Sequence, residues 1–293
     1  MEANRMTRPH LFSFGHGYSA QALARHLLPR GWTITGTTRT PAKAQEFEAA
    51  GVRPLLLGQD AVPADLCGAT HLLVSAAPDA EGDPMLRDWH SALRAAAPQL
   101  QWVGYLSTTG VYGDHHGGWV DEDTPLTPAT RRGIARVQAE ADWQEAARTL
   151  GFPLAIFRLA GIYGPGRGPF AKLRAGTARR IVKPGQVFSR IHVEDIAQVL
   201  EAGIDRRSQG IFNVCDDLPV PPEEVIGYAA ELLGLPLPPA EDFAPAEMTP
   251  MARSFYAESK RVRNDRMKRE LGITLLYPDY RSGLRALRAG MRR

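Results

Sequence analysis

The stretch His10-Leu11-Phe12-Ser13-Phe14-Gly15-His16-Gly17-Tyr18-Ser19-Ala20 decides how the rest of the chain is read. A short, largely apolar, β-leaning segment runs into a G-x-G-x-x-A turn. A helix follows at once over Ser19 to Leu28, with Ala20, Leu23, Ala24, Leu27 and Leu28 at helical spacing and Pro29 and Gly31 as its stop. Trp32-Thr33-Ile34-Thr35-Gly36-Thr37 then returns as a strand. This order predicts a βαβ unit.

The residue types suit one kind of ligand. Gly15 permits a tight strand-to-helix turn, Gly17 lets the backbone approach a pyrophosphate, and Ala20 keeps helix and strand close. The helix N-terminus, with unpaired N–H groups and the positive dipole end, then faces phosphate, so Gly15, His16, Gly17, Tyr18 and Ser19 are expected to hold a dinucleotide. An Asp or Glu about 20 residues past the glycines would select NAD(H) by bonding a ribose 2′-hydroxyl. Here the second strand ends in Thr37-Thr38-Arg39 with no carboxylate. Arg39, with Thr38 and the nearby Lys43, suits a 2′-phosphate, so NADP(H) is expected over NAD(H).

Composition narrows the class. The chain has 293 residues, a net charge of +3 with interspersed acids and bases, and no run of Lys and Arg interleaved with aromatics, so nucleic acid is not an expected partner. Cys67 and Cys215 lack metal-ligand spacing and read as small buried residues. No apolar run approaches the ~20 residues of a membrane span, and Met1 to Pro9 is too short and polar for a signal peptide. A cytoplasmic protein without membrane partners is expected. The arginines of the C-terminus (Arg281, Arg285, Arg288, Arg292 and Arg293) are assigned to the polar face of a last helix.

The strand–helix alternation continues. Thr40 and Pro41 open a second helix that Gly51 ends; Val52 to Leu57 is a third strand, with Gln59 and Asp60 placed near an adenine ring. His71 to Ser75 is the fourth strand, running into Ala76-Ala77-Pro78, whose small side chains let a cofactor lie close. Asp83-Pro84 opens a helix to about Ala97, and Trp102 to Leu106 is the fifth strand. Nearly continuous apolar strands separated by helices imply a parallel sheet covered on both faces, with ligands at the C-terminal strand ends.

Those ends carry further motifs: Tyr105-Leu106-Ser107-Thr108-Thr109-Gly110-Val111-Tyr112-Gly113, then Arg158 to Arg167 with Tyr163-Gly164-Pro165-Gly166, then Arg190-Ile191-His192-Val193-Glu194-Asp195, and Phe212-Asn213-Val214. On these the chain resembles the short-chain dehydrogenase/reductase superfamily, in its extended, atypical, NAD(P)-dependent epimerase/dehydratase-like branch. The resemblance implies an α/β fold: a Rossmann-type doubly wound parallel sheet over residues 7–168 and 190–217, and a smaller C-terminal substrate-binding domain over 169–189 and 218–293. It also implies that Thr108 bonds the substrate oxygen beside the nicotinamide, with Ser107, also expected at the cofactor, and Thr109 as neighbours that could substitute.

The family's acid/base Tyr and the Lys four residues later lie on one face of a helix. Here that helix is Thr130 to Leu150, and setting the family's downstream Glu on Glu140 puts Arg132 and Arg136 at the two positions. Arg136 suits the ribose or a phosphate, but an arginine stays protonated and is no general base. Tyr112, Tyr163 and His115 or His116 are the candidate replacements, the alternatives being that the protein catalyses a different step or binds NADP(H) as a sensor; Arg132, Arg136 and Glu140 lie along one helical stripe, which serves the site or is an exposed ion-pair ladder.

The loop Gly113 to Glu122 reads as a mobile substrate loop whose paired histidines lack further ligands, so no metal is expected. His115, Tyr163 and Arg167 are the expected substrate contacts, Asp121 and Glu122 solvate or cap the loop, Asp195 caps a helix over Ile196 to Ala202 with His192 as a brace, and helices are expected over Pro221 to Leu233 and Glu258 to Glu270. The sum is an NADP(H)-dependent oxidoreductase or epimerase/dehydratase-like enzyme for a small-molecule polar alcohol or carbonyl substrate, sugar-derived ones included, or a non-catalytic NADP(H)-binding sensor or regulatory protein. A homodimer is compatible with the resemblance.

Overall fold

The computed structural model describes residues 8–58 and 63–291, which fall into two compact units. The first comprises Met1–Ser107, Ala135–Phe157 and Ala197–Ile211. It carries the body of a seven-stranded sheet: β1 (His10–Phe14), β2 (Thr33–Thr38), β3 (Arg53–Leu56), β4 (His71–Val74), β5 (Trp102–Thr108), β6 (Leu154–Leu159) and β7 (Gly210–Val214). The order across the sheet is β7-β6-β5-β4-β1-β2-β3, and β1 pairs in parallel with both β2 and β4, Phe12 lying opposite Thr35 and Leu72. Chain order therefore reverses at β1, where such sheets open a crevice at the strand ends.

The connecting helices explain why the strands are apolar on both faces. Helices α1 (Tyr18–Leu27), α2 (Pro41–Ala49), α3 (Pro63–Cys67), α4 (Pro84–Ala96) and α5 (Arg131–Leu150) follow the strands in turn. Leu11, Phe12, Leu72, Val74, Val103 and Tyr105 are all buried, and Trp143 of α5 packs beside Tyr105 at 5.8 Å between ring centroids. Asp83 caps α4, its Oδ1 accepting the N–H groups of Met85 at 3.0 Å and Leu86 at 3.3 Å. No helix among the described residues is long and apolar enough to cross a membrane.

The second unit comprises Thr108–Ile134, Arg158–Ile196 and Phe212–Arg293. Along the chain come α6 (Pro169–Arg174), α7 (Val193–Asp205), α8 (Pro222–Leu233), α9 (Pro250–Phe255), α10 (Asp265–Leu271) and α11 (Tyr280–Gly290). Phe170, Leu173, Val225, Ala229, Tyr280 and Leu284 form a core of this unit.

Two expectations are corrected here. The segment expected as a helix over Glu258 to Glu270 is helical only in α10; Arg261–Val262 instead pairs in parallel with Trp119–Val120, because Ser259 and Lys260 are tied into the preceding loop. Asp195 does not cap a helix. The helix α7 starts at Val193, His192 Nδ1 accepts the Glu194 N–H at 3.2 Å, and the Asp195 carboxylate accepts the N–H groups of Leu276 at 2.7 Å and Tyr277 at 3.1 Å.

Asp216 is 1 % exposed, and burial pushes its pKa up to about 8 against the opposing pull of Arg190. The native state thus holds a proton that the unfolded chain has lost, so this group's contribution to stability falls as pH rises from about 4 to 8. Urea unfolding should show Asp216→Asn gaining on the parent protein between pH 6 and 8; a pH-independent difference would show that Asp216 is already ionised in the fold.

Candidate functional site

Gly15 closes β1 with φ +80°, and a Cβ there would lie 2.7 Å from the Ala76 nitrogen, so only glycine fits. Its peptide groups are held from both sides. The Gly15 N–H donates to Thr37 Oγ1 of β2 at 2.7 Å, and the Ser75 hydroxyl, just past β4, donates to the Gly15 carbonyl. Gly17 stands at the N-cap of α1 with no side-chain cap and no acid in the first turn. The first amides of a helix have no acceptor within it, so this end is open to an anion. A Cβ on Gly17 would meet nothing nearer than the Gly15 oxygen at 3.7 Å, which leaves the approach clear.

His16 enters this turn through packing. Its side chain is 3 % exposed, rests against Gly36 and edge-on to Phe47 at 4.7 Å, and has Nδ1 3.0 Å from Ser13 Oγ. Its side chain is therefore not available to a ligand. Tyr18 is half-buried and Ser19 buried. At the end of β2, Thr38 Oγ1 accepts the Thr40 N–H at 3.3 Å, whereas Arg39 is exposed and has no hydrogen bond or ion pair within the described residues. Ala76, Ala77 and Pro78 run on from Ser75 as irregular, half-buried to exposed chain, and Asp60 lies outside the described residues.

At the end of β5 two adjacent hydroxyls have different partners. Ser107, expected at the cofactor, is buried and donates to Glu140 Oε1 at 2.5 Å. Thr108 is half-exposed, and its Oγ1 accepts the Gly110 N–H at 3.2 Å, which leaves the hydroxyl hydrogen to donate elsewhere. The exposed ladder of Arg132, Arg136 and Glu140 is not what α5 presents, since Glu140 is 1 % exposed. Arg136 Nη1 donates to Tyr105 Oη and the Leu106 carbonyl, each at 2.9 Å, with its guanidinium over the Tyr105 ring. Arg132 is exposed and lies 5.8 Å from the Phe255 ring centroid.

The expected stand-ins for a catalytic tyrosine are corrected by burial. Tyr112 is fully buried: its hydroxyl donates to Asn213 Oδ1 at 2.7 Å and accepts from Arg158 Nη1 at 3.0 Å, and burial pushes its pKa up to about 12. Tyr163 is buried against Gly283 of α11, with burial and nearby carboxylates raising its pKa. Neither exchanges protons near neutral pH. His115 Nε2 donates to the Tyr112 carbonyl at 3.1 Å, and Arg167 is exposed on the wall of a cavity that also includes His192. The loop expected to be mobile is pinned: the Ser259 carbonyl accepts from His115 and Gly117, Asp114 accepts the Ser259 N–H, and Lys260 Nζ donates to the Gly113 carbonyl at 2.6 Å. Glu122, expected to solvate this loop, is buried and accepts the Asn213 N–H at 2.8 Å. No group of three or more His, Cys, Asp or Glu among the described residues is placed to hold a metal.

Sequence reasoning missed the pair that fixes Gly15 and the Ser107–Glu140 bond. Hydroxyls at the ends of β2, β4 and β5 were the available signal, but their partners lie 22 to 60 residues away.

Residues 89–215 match the family model for the NAD-dependent epimerase/dehydratase family. A conserved protein of unknown function from Silicibacter pomeroyi DSS is 60% identical, with 96% of this chain and 99% of that chain covered and a TM-score of 0.92. A structure assigned to the NAD-dependent epimerases/dehydratases from Methylobacillus flagellatus is 28% identical over 98% of this chain and 99% of that chain, with a TM-score of 0.70. Protein YeeZ of Escherichia coli is 28% identical over 281 residues, 90% of this chain and 95% of that protein. Over residues 89–215 the chain is therefore similar to the NAD-dependent epimerase/dehydratase family, and along nearly its whole length to a structure assigned to that family.

Proposed function

We propose that the protein is an NADP(H)-dependent oxidoreductase or epimerase/dehydratase-like enzyme acting on a polar alcohol or carbonyl compound, sugar-derived compounds included. The observation that carries the cofactor reading is Arg39: an exposed cation without a hydrogen bond or ion pair among the described residues, at the strand end where NAD(H) selection calls for a carboxylate. The glycine turn and the uncapped N-terminus of α1 suit the pyrophosphate, and the Arg39 guanidinium suits a 2′-phosphate through paired N–H donors. A dinucleotide held there supplies or accepts the hydride.

The chain's own residues do the rest. Thr108, its oxygen already accepting from Gly110, turns its O–H toward the reacting oxygen and holds it. Arg136 stands at the position of the usual lysine and Arg132 at that of the usual tyrosine; both stay charged and stabilise negative charge without moving a proton. In the reducing direction solvent water supplies the proton that follows the hydride, and in the oxidising direction it takes up the proton released. A second reading, a non-catalytic NADP(H) sensor, is favoured by one observation: Arg136 Nη1 is already engaged with Tyr105 and Leu106.

Calorimetric titration should find that Arg39→Ala weakens NADPH by about 1–3 kcal/mol, the range for a charge-assisted contact, and leaves NADH nearly unchanged. Equal losses for the two would remove the phosphate role. Transfer of deuteride from C4-deuterated NADPH into a panel of carbonyl compounds should be measurable for the parent protein and fall on the order of 10²-fold in Thr108→Val. Transfer undiminished in that variant contradicts the role of Thr108, and no transfer to any acceptor favours the sensor.

A further inference from the structure

Thr108, Arg132 and Phe255 all belong to the second unit. Local packing brings the first two together. Gly110, whose N–H donates to Thr108 Oγ1, lies against the start of α5, where a Cβ added at Gly133 would come within 2.9 Å of the Gly110 carbonyl oxygen. A larger residue at 133 would force the two segments apart. The Thr130 hydroxyl fixes this first helical turn by accepting the Gly133 N–H at 3.1 Å. Arg132, the preceding residue, therefore leaves the helix beside the turn that carries Thr108.

Arg132 is an uncommitted charge. It is exposed and has no hydrogen bond or ion pair among the described residues, and neither α5 nor α9 has an acid in its first turn. It is nevertheless held in place. Its guanidinium lies 5.8 Å from the Phe255 ring centroid, a cation–π contact that restricts the side chain and leaves its N–H edge open. Phe255 is 58 % exposed on a fixed backbone: the Thr249 hydroxyl accepts the Ala252 N–H at 3.2 Å, and the Tyr256 carbonyl accepts from Lys183 Nζ. Tyr256 stacks on Phe243 with centroids 5.2 Å apart and meets Phe188 edge-on at 5.7 Å. It takes the packed place, and Phe255 is left facing solvent. A planar cationic fork beside an aromatic ring suits a flat carboxylate, whose two oxygens meet the fork while its apolar body meets the ring.

We propose that Arg132 anchors the substrate, and that this substrate is an aromatic carboxylic acid bearing a carbonyl or hydroxyl group, its carboxylate held by Arg132 beside Phe255 and its reacting oxygen by Thr108. The proposal rests on the reading of Thr108 as the group that holds the reacting oxygen, and it narrows the substrate class of that same site. One guanidinium matches the single charge of a carboxylate.

The test titrates 3- and 4-formylbenzoate, and their uncharged counterparts 3- and 4-formylbenzamide, into the full chain by calorimetry, without nucleotide and with millimolar NADP⁺. At least one acid should bind about five- to tenfold more tightly than its amide, and the preference should shrink as salt rises from about 20 to about 500 mM. Arg132→Gln should remove the preference, and Arg132→Lys should keep only part of it, because an ammonium lacks the fork. Phe255→Ala should weaken acid and amide alike by about threefold. Arg131→Gln, at an exposed arginine outside the site, should leave the preference unchanged. These are surface positions, so Tm should stay within about 2 °C of the parent. No binding of either acid at millimolar concentration, equal binding of acid and amide, a preference that survives Arg132→Gln, or phenyl phosphate binding more tightly than both acids would each overturn the proposal. Nucleotide binding without an acid preference defeats this inference alone. An acid preference without nucleotide binding defeats the cofactor reading alone, and acid and amide binding both unmoved in Thr108→Val defeats the role of Thr108.

Discussion

Everything at the nucleotide end of the sheet depends on how the Gly15 peptide is held. A glycine at φ +80° has more freedom to lose on folding than any other residue. Two hydroxyls from different strands fix it, Thr37 taking the N–H and Ser75 reaching the carbonyl. Each such bond is worth about 1 kcal/mol net. Their larger effect is directional: they orient the turn that launches α1, so the open amides of that helix point from the place where strand order reverses. Ala76 closes the other side, near enough that no side chain could replace the glycine hydrogen.

Hydroxyls at strand ends recur with different roles. Thr37 and Ser75 hold backbone, Ser107 donates to the buried Glu140 and so ties β5 to α5, and Thr108 keeps a free hydrogen. In Thr108 the hydroxyl hydrogen is without an acceptor among the described residues. Around Tyr105, burial raises the phenol pKa while Arg136 donates to its oxygen, which makes this tyrosine a fixed support for the guanidinium rather than an acid.

Much of this was legible in the sequence because it is local. The βαβ unit, the strand starts, the helix opened by Asp83-Pro84 and the exposed Arg39 all follow from period, capping and turn chemistry within a few residues. What was not legible depends on distant partners. Arg132, Arg136 and Glu140 at i, i+4, i+8 look like a solvent-facing stripe until Ser107, 33 residues back, takes Glu140 inward. The charged run Lys260 to Leu271 has helical composition throughout, yet its first residues pair with Trp119–Val120 and hold the preceding loop, so tertiary contacts override propensity. Tyr112 and Tyr163 sit in motifs that suggest a site, and sequence has no means of telling a buried phenol from an accessible one. His192 and Asp195 exchanged their expected roles because α7 begins three residues earlier than its apolar pattern, at Val193 rather than Ile196.

The most direct test is equilibrium titration of the unaltered protein with NADPH and NADH in parallel, at fixed ionic strength. A dinucleotide site built on the clamped glycine turn, with Arg39 at the end of β2, predicts micromolar or tighter NADPH binding and NADH weaker by about tenfold or more. NADH binding as tightly as NADPH would contradict the part assigned to Arg39, and binding of neither would contradict the reading of the turn as a nucleotide site.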